Sequence, residues 1–180
     1  IKKVLAYDEK IAPFKISSLE NQYTIYLPIE IQGSIAEVQI SGMVDRMEET
    51  DTIIRVIDYK TGKTENKARS IESLFEQGNN KRNKAIFQVL LYCEFIYQNF
   101  GDSKVIEPGL YFIRDIYGSS FNSEIQIDKK TVDDYRNLRE DYTLFLQSLL
   151  NNMFDPQKPF QQSTDTDICN YCIYKEICRR

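Results

Sequence analysis

Two neighbouring runs of strand-forming residues, each closing on an aspartate, constrain this chain more than anything else in it. From Glu37 to Asp45 the chain alternates Val38, Ile40, Gly42 and Val44 with Gln39, Ser41, Met43 and Asp45, the period of a half-buried strand. The run Ile53-Ile54-Arg55-Val56-Ile57 is rich in β-branched residues and reads as a buried strand. Residues two apart on a strand share a face, so Asp58 and Lys60 project together from its C-terminal end. The short polar stretch Glu48-Glu49-Thr50-Asp51 suits a hairpin connection, which predicts antiparallel pairing and brings Asp45 towards Asp58.

Two carboxylates on rigid strands repel, and one of them takes up a proton unless a cation sits between them. Hard oxygen donors without nearby His or Cys favour Mg²⁺ or Mn²⁺ over zinc. A lysine beside such a site can orient an attacking water or stabilise charge on a phosphorane, which suits phosphodiester hydrolysis. The bland alternative is a strand end with solvated charges. A third segment weighs against it: residues 84 to 97 carry Ile86, Val89, Leu90, Cys93 and Ile96 at helical spacing. Gln88 and Tyr92, four apart, share one face beside that stripe.

In the order Gly42-Met43-Val44-Asp45-Arg46, Ile57-Asp58-Tyr59-Lys60-Thr61-Gly62-Lys63 and a helix with Gln88-x-x-x-Tyr92, the chain resembles the PD-(D/E)XK nuclease superfamily. Within it, the motifs are most similar to the RecB-like and AddB-like nuclease domains of bacterial helicase-nucleases, over about residues 20 to 178. The resemblance implies an α/β fold with a restriction-endonuclease-like core, a central mixed β-sheet flanked by helices. It makes Asp45, Asp58 and the backbone carbonyl of Tyr59 metal ligands, Lys60 the catalytic lysine, and Gln88 and Tyr92 helpers that position the substrate strand and the metal site. Arg46 and Gly62 match accompanying positions, Arg46 being assigned to DNA contact. The implied activity is Mg²⁺- or Mn²⁺-dependent deoxyribonuclease action, as an exonuclease in DNA repair and recombination, with a helicase domain or subunit as partner. A catalytically inactive DNA-binding or scaffolding module of the same fold is the alternative.

Near the C-terminus, Cys169, Cys172 and Cys178 follow Pro156 and Pro159. Close cysteines in a chain without a secretory pattern are more often metal ligands than disulfides. Three thiolates fall one short of a zinc or [4Fe–4S] set. AddB-like nucleases look similar here and hold their cluster with a fourth cysteine ahead of the core. No cysteine precedes Cys93, which sits on the apolar helix stripe and reads as a core residue. Because the first residue is Ile1, the chain is expected to be a piece whose upstream part carries the fourth ligand and the family's N-terminal helix. Residues 1–154 are read as the nuclease core and 155–180 as a cysteine-containing segment.

The net charge of −4 argues mildly against nucleic-acid binding. Its distribution argues the other way, since residues 60 to 84 hold seven basic side chains against three acidic ones. Lys63, Lys67, Arg69, Lys81, Arg82 and Lys84, bordering the expected site, are assigned to phosphate contact with DNA. The plain alternative is a solvated loop, with Gln77-Gly78-Asn79-Asn80 as a breaker cluster. Gly62-Lys63-Thr64 imitates the end of a phosphate-binding P-loop, but Ile57 stands where that motif needs glycine, so ATP binding is not supported. Neither a stretch of ~20 apolar residues nor a signal pattern is found, so a cytoplasmic protein without membrane association is expected.

The remaining elements are expected as a strand over 23–31 with Glu20 on the surface ahead of it, a strand over 109–117, a partner over 121–127, and a long helix capped by Asp128 and running to about Asn151. The element order is then β-β-β-α-β-β-α.

Overall fold

The computed structural model describes residues 2–62, 64–76, 82–114, 121–159, 161–162 and 166–179. A first helix, α1 (Lys2–Ile11), leads into two long strands, β1 (Lys15–Ile31) and β2 (Ser34–Glu49), which form an antiparallel hairpin. Strand β3 (Ile53–Lys60) pairs antiparallel with β2, and β5 (Val105–Phe112) pairs parallel with β3. The sheet order is β1-β2-β3-β5, a mixed sheet. A parallel pair needs a crossover, and α2 (Lys84–Phe100) supplies it. Two-residue strands β4 (Lys67–Ala68), β6 (Gln126–Ile127) and β7 (Lys130–Thr131) make a second, small sheet. Helices α3 (Arg139–Phe154) and α4 (Thr166–Cys169) close the chain. No helix among the described residues is long and apolar enough to cross a membrane.

The main core lies between the sheet and α2 and α3. Tyr23, Ile25, Leu27 and Ile29 of β1 are buried at alternate positions, as strand geometry requires. Against them and against Val56, Ile106 and Leu110 sit Ile86, Val89, Leu90, Cys93 and Ile96, the stripe read from the sequence. Asn83 caps α2, its side chain accepting from the backbone N–H groups of Ala85 and Ile86, and Gly101 ends it with φ +79°. Gly42 explains how closely this helix approaches β2: a Cβ there would lie 2.7 Å from Phe95 Cε2. On the other side of the sheet Ile57 and Tyr111 are buried, and Tyr7 of α1 meets Tyr111 and Phe121 edge-on.

The core strands and the α2 crossover match the expected α/β plan, and six details differ. The strand expected to close on Asp45 runs on to Glu49, which takes Glu48 and Glu49 out of the expected connection and into the β2–β3 ladder. The first strand begins at Lys15 rather than Tyr23, so Glu20 lies within it. An N-terminal helix is present as α1, in a segment whose charges hide its apolar spacing. The strand from Gly109 begins earlier, at Val105, and ends at Phe112 among described residues; 115–117 lie outside them. Its expected partner touches it only through a Gly109–Glu124 bridge, because Gln126 and Ile127 pair with β4 instead. Asp128 caps no helix. It occupies a turn at φ +51°, Asp134 caps a single 3-10 turn over Tyr135–Asn137, and α3 starts only at Arg139.

Candidate active site

The ladder between β2 and β3 ends at the Arg46–Ile57 pair, beyond which β2 stays paired with β1 but no longer with β3. The next donor on β3, the Tyr59 N–H, is satisfied by Asp45 Oδ2 at 2.9 Å instead of by a backbone carbonyl. Asp45 is thus held at the splayed end beside Asp58, close enough for its charge to act on the Asp58 carboxyl.

Asp58 faces α2 and is 1% exposed. Lys60 Nζ lies 2.6 Å from its Oδ2, so the ammonium pairs directly with this buried oxygen. Burial pushes the Asp58 carboxyl up, the Lys60 ammonium pulls it down, and the Asp45 charge pushes it up again; the balance is a pKa of about 6. Lys60 Nζ also donates to Gln88 Oε1 at 2.8 Å, and Gln88 Nε2 donates to the Tyr92 hydroxyl oxygen at 2.6 Å. One turn of helix separates those two side chains, so they meet on one face. Burial pushes the Tyr92 phenol up. Its oxygen accepts from Gln88 and its own proton is left to donate elsewhere.

All five residues singled out as catalytic, Asp45, Asp58, Lys60, Gln88 and Tyr92, therefore lie in one connected constellation. The donor set fits a hard divalent cation: two carboxylates from adjacent strands, one of them buried and repelled by the other. Among the described residues no three His, Cys, Asp or Glu side chains converge on a point.

The basic residues divide. Lys67 and Lys84 are exposed, and half-buried Arg82 shares with Lys67, Arg69 and Asn83 the lining of a hollow of about 340 Å³. Asn83 ties this rim to the helix by donating to the carbonyls of Glu65 and Lys67. Arg69 is exposed and ion-paired to Glu76 at 2.7 Å. Lys63 and Lys81 lie outside the described residues. Arg46 belongs elsewhere: it is 3% exposed, on the opposite side of the sheet from α2, and engaged with Asp8 and Glu48, so it is no part of a solvent-facing basic surface. Glu20 is exposed, at φ +46°.

The C-terminal cysteines, read from the sequence as an incomplete ligand set, lie in a short run of local turns. Cys169 ends α4, and Cys172 and Cys178 follow in successive turns built from local bonds such as Cys172 N–H to the Cys169 carbonyl. No three ligating side chains meet there among the described residues. Cys93 is fully buried in the core.

Sequence reasoning missed Asp8, Glu48, Arg55 and Glu107. Glu48 is buried and paired with Arg46 and, at 2.5 Å, with Arg55, which reaches Glu107 at 3.4 Å. The one available signal was the parity of Glu48 with Arg46 on a strand, and of Arg55 with Glu107's partner position across it.

A family model for the PD-(D/E)XK nuclease superfamily matches residues 1–179. No curated protein matches the chain.

Proposed function

The chain belongs to the PD-(D/E)XK nuclease superfamily, and from that premise we propose that it hydrolyses phosphodiester bonds of DNA at Asp45, Asp58 and Lys60, using Mg²⁺ or Mn²⁺. The observation that carries this reading is Asp58: a carboxylate 1% exposed, paired with the Lys60 ammonium and repelled by a second carboxylate beside it. Folding that leaves such a group costs stability unless the site has another occupant.

Asp45 and Asp58, with the carbonyl of Tyr59, hold the cation. When bound, it supplies Lewis-acid charge that polarises the scissile phosphate and offsets charge developing on it. Lys60 does the rest of the electrostatic work from this chain: its ammonium lies beside Asp58, where it orients the attacking water and stabilises the crowded phosphorus centre. Gln88 fixes the lysine by accepting a hydrogen bond from its ammonium, which removes rotamers that point it away. Tyr92 in turn fixes the amide and keeps a proton free for a phosphate oxygen. Lys67, Arg82 and Lys84, with Lys63 and Lys81 of the same segment, contact flanking phosphates, and Arg69 joins them at the cost of its pair with Glu76. Arg46 is left out of that set because of its burial.

The motif order Gly42–Arg46, Ile57–Lys63, Gln88 and Tyr92 supports the finer reading of a RecB-like or AddB-like exonuclease that works with a helicase domain or subunit in DNA repair or recombination. Digestion of end-labelled DNA in Mg²⁺ by the chain and by its Asp58→Ala variant tests the assignment. Loss of cleavage in the variant is expected; equal cleavage by both removes Asp58 from the chemistry, and no cleavage by either leaves a binding module.

A further inference from the structure

Resting on that reading, we infer that Asp8, Arg46 and the Tyr59 hydroxyl form a positioning clamp on the sheet's opposite face that sets the separation of Asp45 and Asp58. Arg46 follows Asp45 directly and is the last β2 residue still paired with β3. Beyond that pair no ladder bond joins β2 to β3, yet both carboxylates sit there. The arginine side chain spans the gap from behind. Its Nη1 donates to the Tyr59 hydroxyl at 3.1 Å, and Tyr59 lies between Asp58 and Lys60. The backbone N–H of the same tyrosine donates to Asp45 Oδ2. One residue of β3 is thus grasped by two consecutive residues of β2, through its ring on one side and its amide on the other.

The arginine is itself immobilised. Its Nη2 lies 2.9 Å from Asp8 Oδ2 on α1 and also pairs with Glu48, which a second guanidinium, Arg55, holds in turn. The rings of Phe14 and Tyr111 lie against its guanidinium carbon at 5.5 and 6.0 Å. Tyr111 also meets the Tyr59 ring edge-on at 5.7 Å. A planar guanidinium with its donors directed at three oxygens at once is a rigid spacer, which lysine is not. The spacing of two hard oxygen donors decides how well they grip a small cation, and outer partners of metal ligands commonly change affinity 10–100-fold.

Arg46 touches neither the cation nor the substrate in this scheme, so its role must show in the grip on the ion. Titration of the full chain with Mn²⁺ alone, followed by calorimetry, reads that grip without any turnover. Tyr59→Phe removes one hydroxyl and Asp8→Asn removes one charge; each is expected to weaken Mn²⁺ binding about tenfold and to raise the Mg²⁺ needed for half-maximal cleavage by the same factor. Arg46→Lys keeps the charge but loses the planar fork, and is expected to weaken Mn²⁺ binding at least as much as Asp8→Asn. A variant lowered in melting temperature elsewhere, Glu94→Gln, is expected to keep wild-type Mn²⁺ affinity, which separates positioning from mere stability. Unchanged Mn²⁺ affinity in Tyr59→Phe overturns the clamp even where Asp8→Asn fails to fold. Asp58→Ala, run alongside, separates the two failures: if it loses Mn²⁺ while Tyr59→Phe keeps it, only the clamp falls, and if it binds Mn²⁺ as wild type does, the assignment of the carboxylates falls with it.

Discussion

Glu94 on α2 and Asp58 at the end of β3 are both shut away from solvent, at 0% and 1% exposure. Glu94 receives four donors: the Tyr135 hydroxyl, two nitrogens of Arg139 and the amide of Gln98, each at 2.8 Å. Arg139 is further held over the Tyr97 ring, 4.0 Å from its centroid. Asp58 receives one ammonium, shared with Gln88, and has a second carboxylate for a neighbour. The first site is closed by folding, joining α2 to α3 as a structural rivet. The second is left open by folding, and that deficit distinguishes a place for chemistry from a buried charge that merely fastens two helices.

The sharpest break in this comparison is in activity. Asp58→Ala is expected to lose cleavage by at least about 10³-fold with little loss of melting temperature, whereas Glu94→Gln keeps cleavage at permissive temperature and loses stability. If both variants lose activity and stability together, the two carboxylates are not different in kind. For Glu94→Gln the expected cost is about 2–3 kcal/mol, below the 3–5 typical of a fully buried pair because Arg139 is a third exposed; denaturant titration measures it.

A pH scan sharpens the contrast further. The folded Asp58 carboxyl, at about 6 against an ordinary 3.8, binds its proton more tightly than the unfolded chain does. Its contribution is therefore complete below pH ~4 and is lost as the pH rises through 6, on the order of 3 kcal/mol in the metal-free protein. Thermal melts between pH 4 and 7 are expected to show this decline, with Asp58→Asn flattening it and Mg²⁺ opposing it in the wild type.

Gly42→Ala addresses the helix that serves both sites. Its Cβ would press on Phe95, a loss of about 1–3 kcal/mol, and displacement of Gln88 from Lys60 is expected to lower cleavage beyond what stability explains. The smallest expected effect is at the rim: Lys67→Ala is expected to reduce the salt dependence of DNA binding by about one unit of slope, uniformly across sequences, in a fluorescence titration.

The site was more legible in the sequence than the scaffold around it. Asp58 and Lys60 follow from a strand period of two, and Gln88 and Tyr92 from one helical turn, because each pair is read within a single element. Asp8 and Arg46 could not be paired that way. Thirty-seven residues lie between them, and the helix carrying Asp8, Lys-Lys-Val-Leu-Ala-Tyr-Asp-Glu-Lys-Ile, is too charged for a clear apolar stripe. Strands β4, β6 and β7, two residues each, are too short to have a period. Asp128 looked like a helix cap because aspartate serves both caps and left-handed turns, and only the backbone decides which. The basic segment was legible as charge alone; that Arg69 is matched by Glu76 depends on the fold of the loop.

Cys93 stands five residues past Gln88 on α2 with none of its surface exposed. Burial pushes its thiol well up, so it is chemically silent while the helix lies on the sheet. An alkylating reagent reaches it only when that helix lifts, so its labelling rate is a clock for the opening of the crossover between β3 and β5. The same protein thus has a built-in reporter of the motion that would carry Gln88 away from Lys60, and divalent ions that grip the nearby strand ends should slow it.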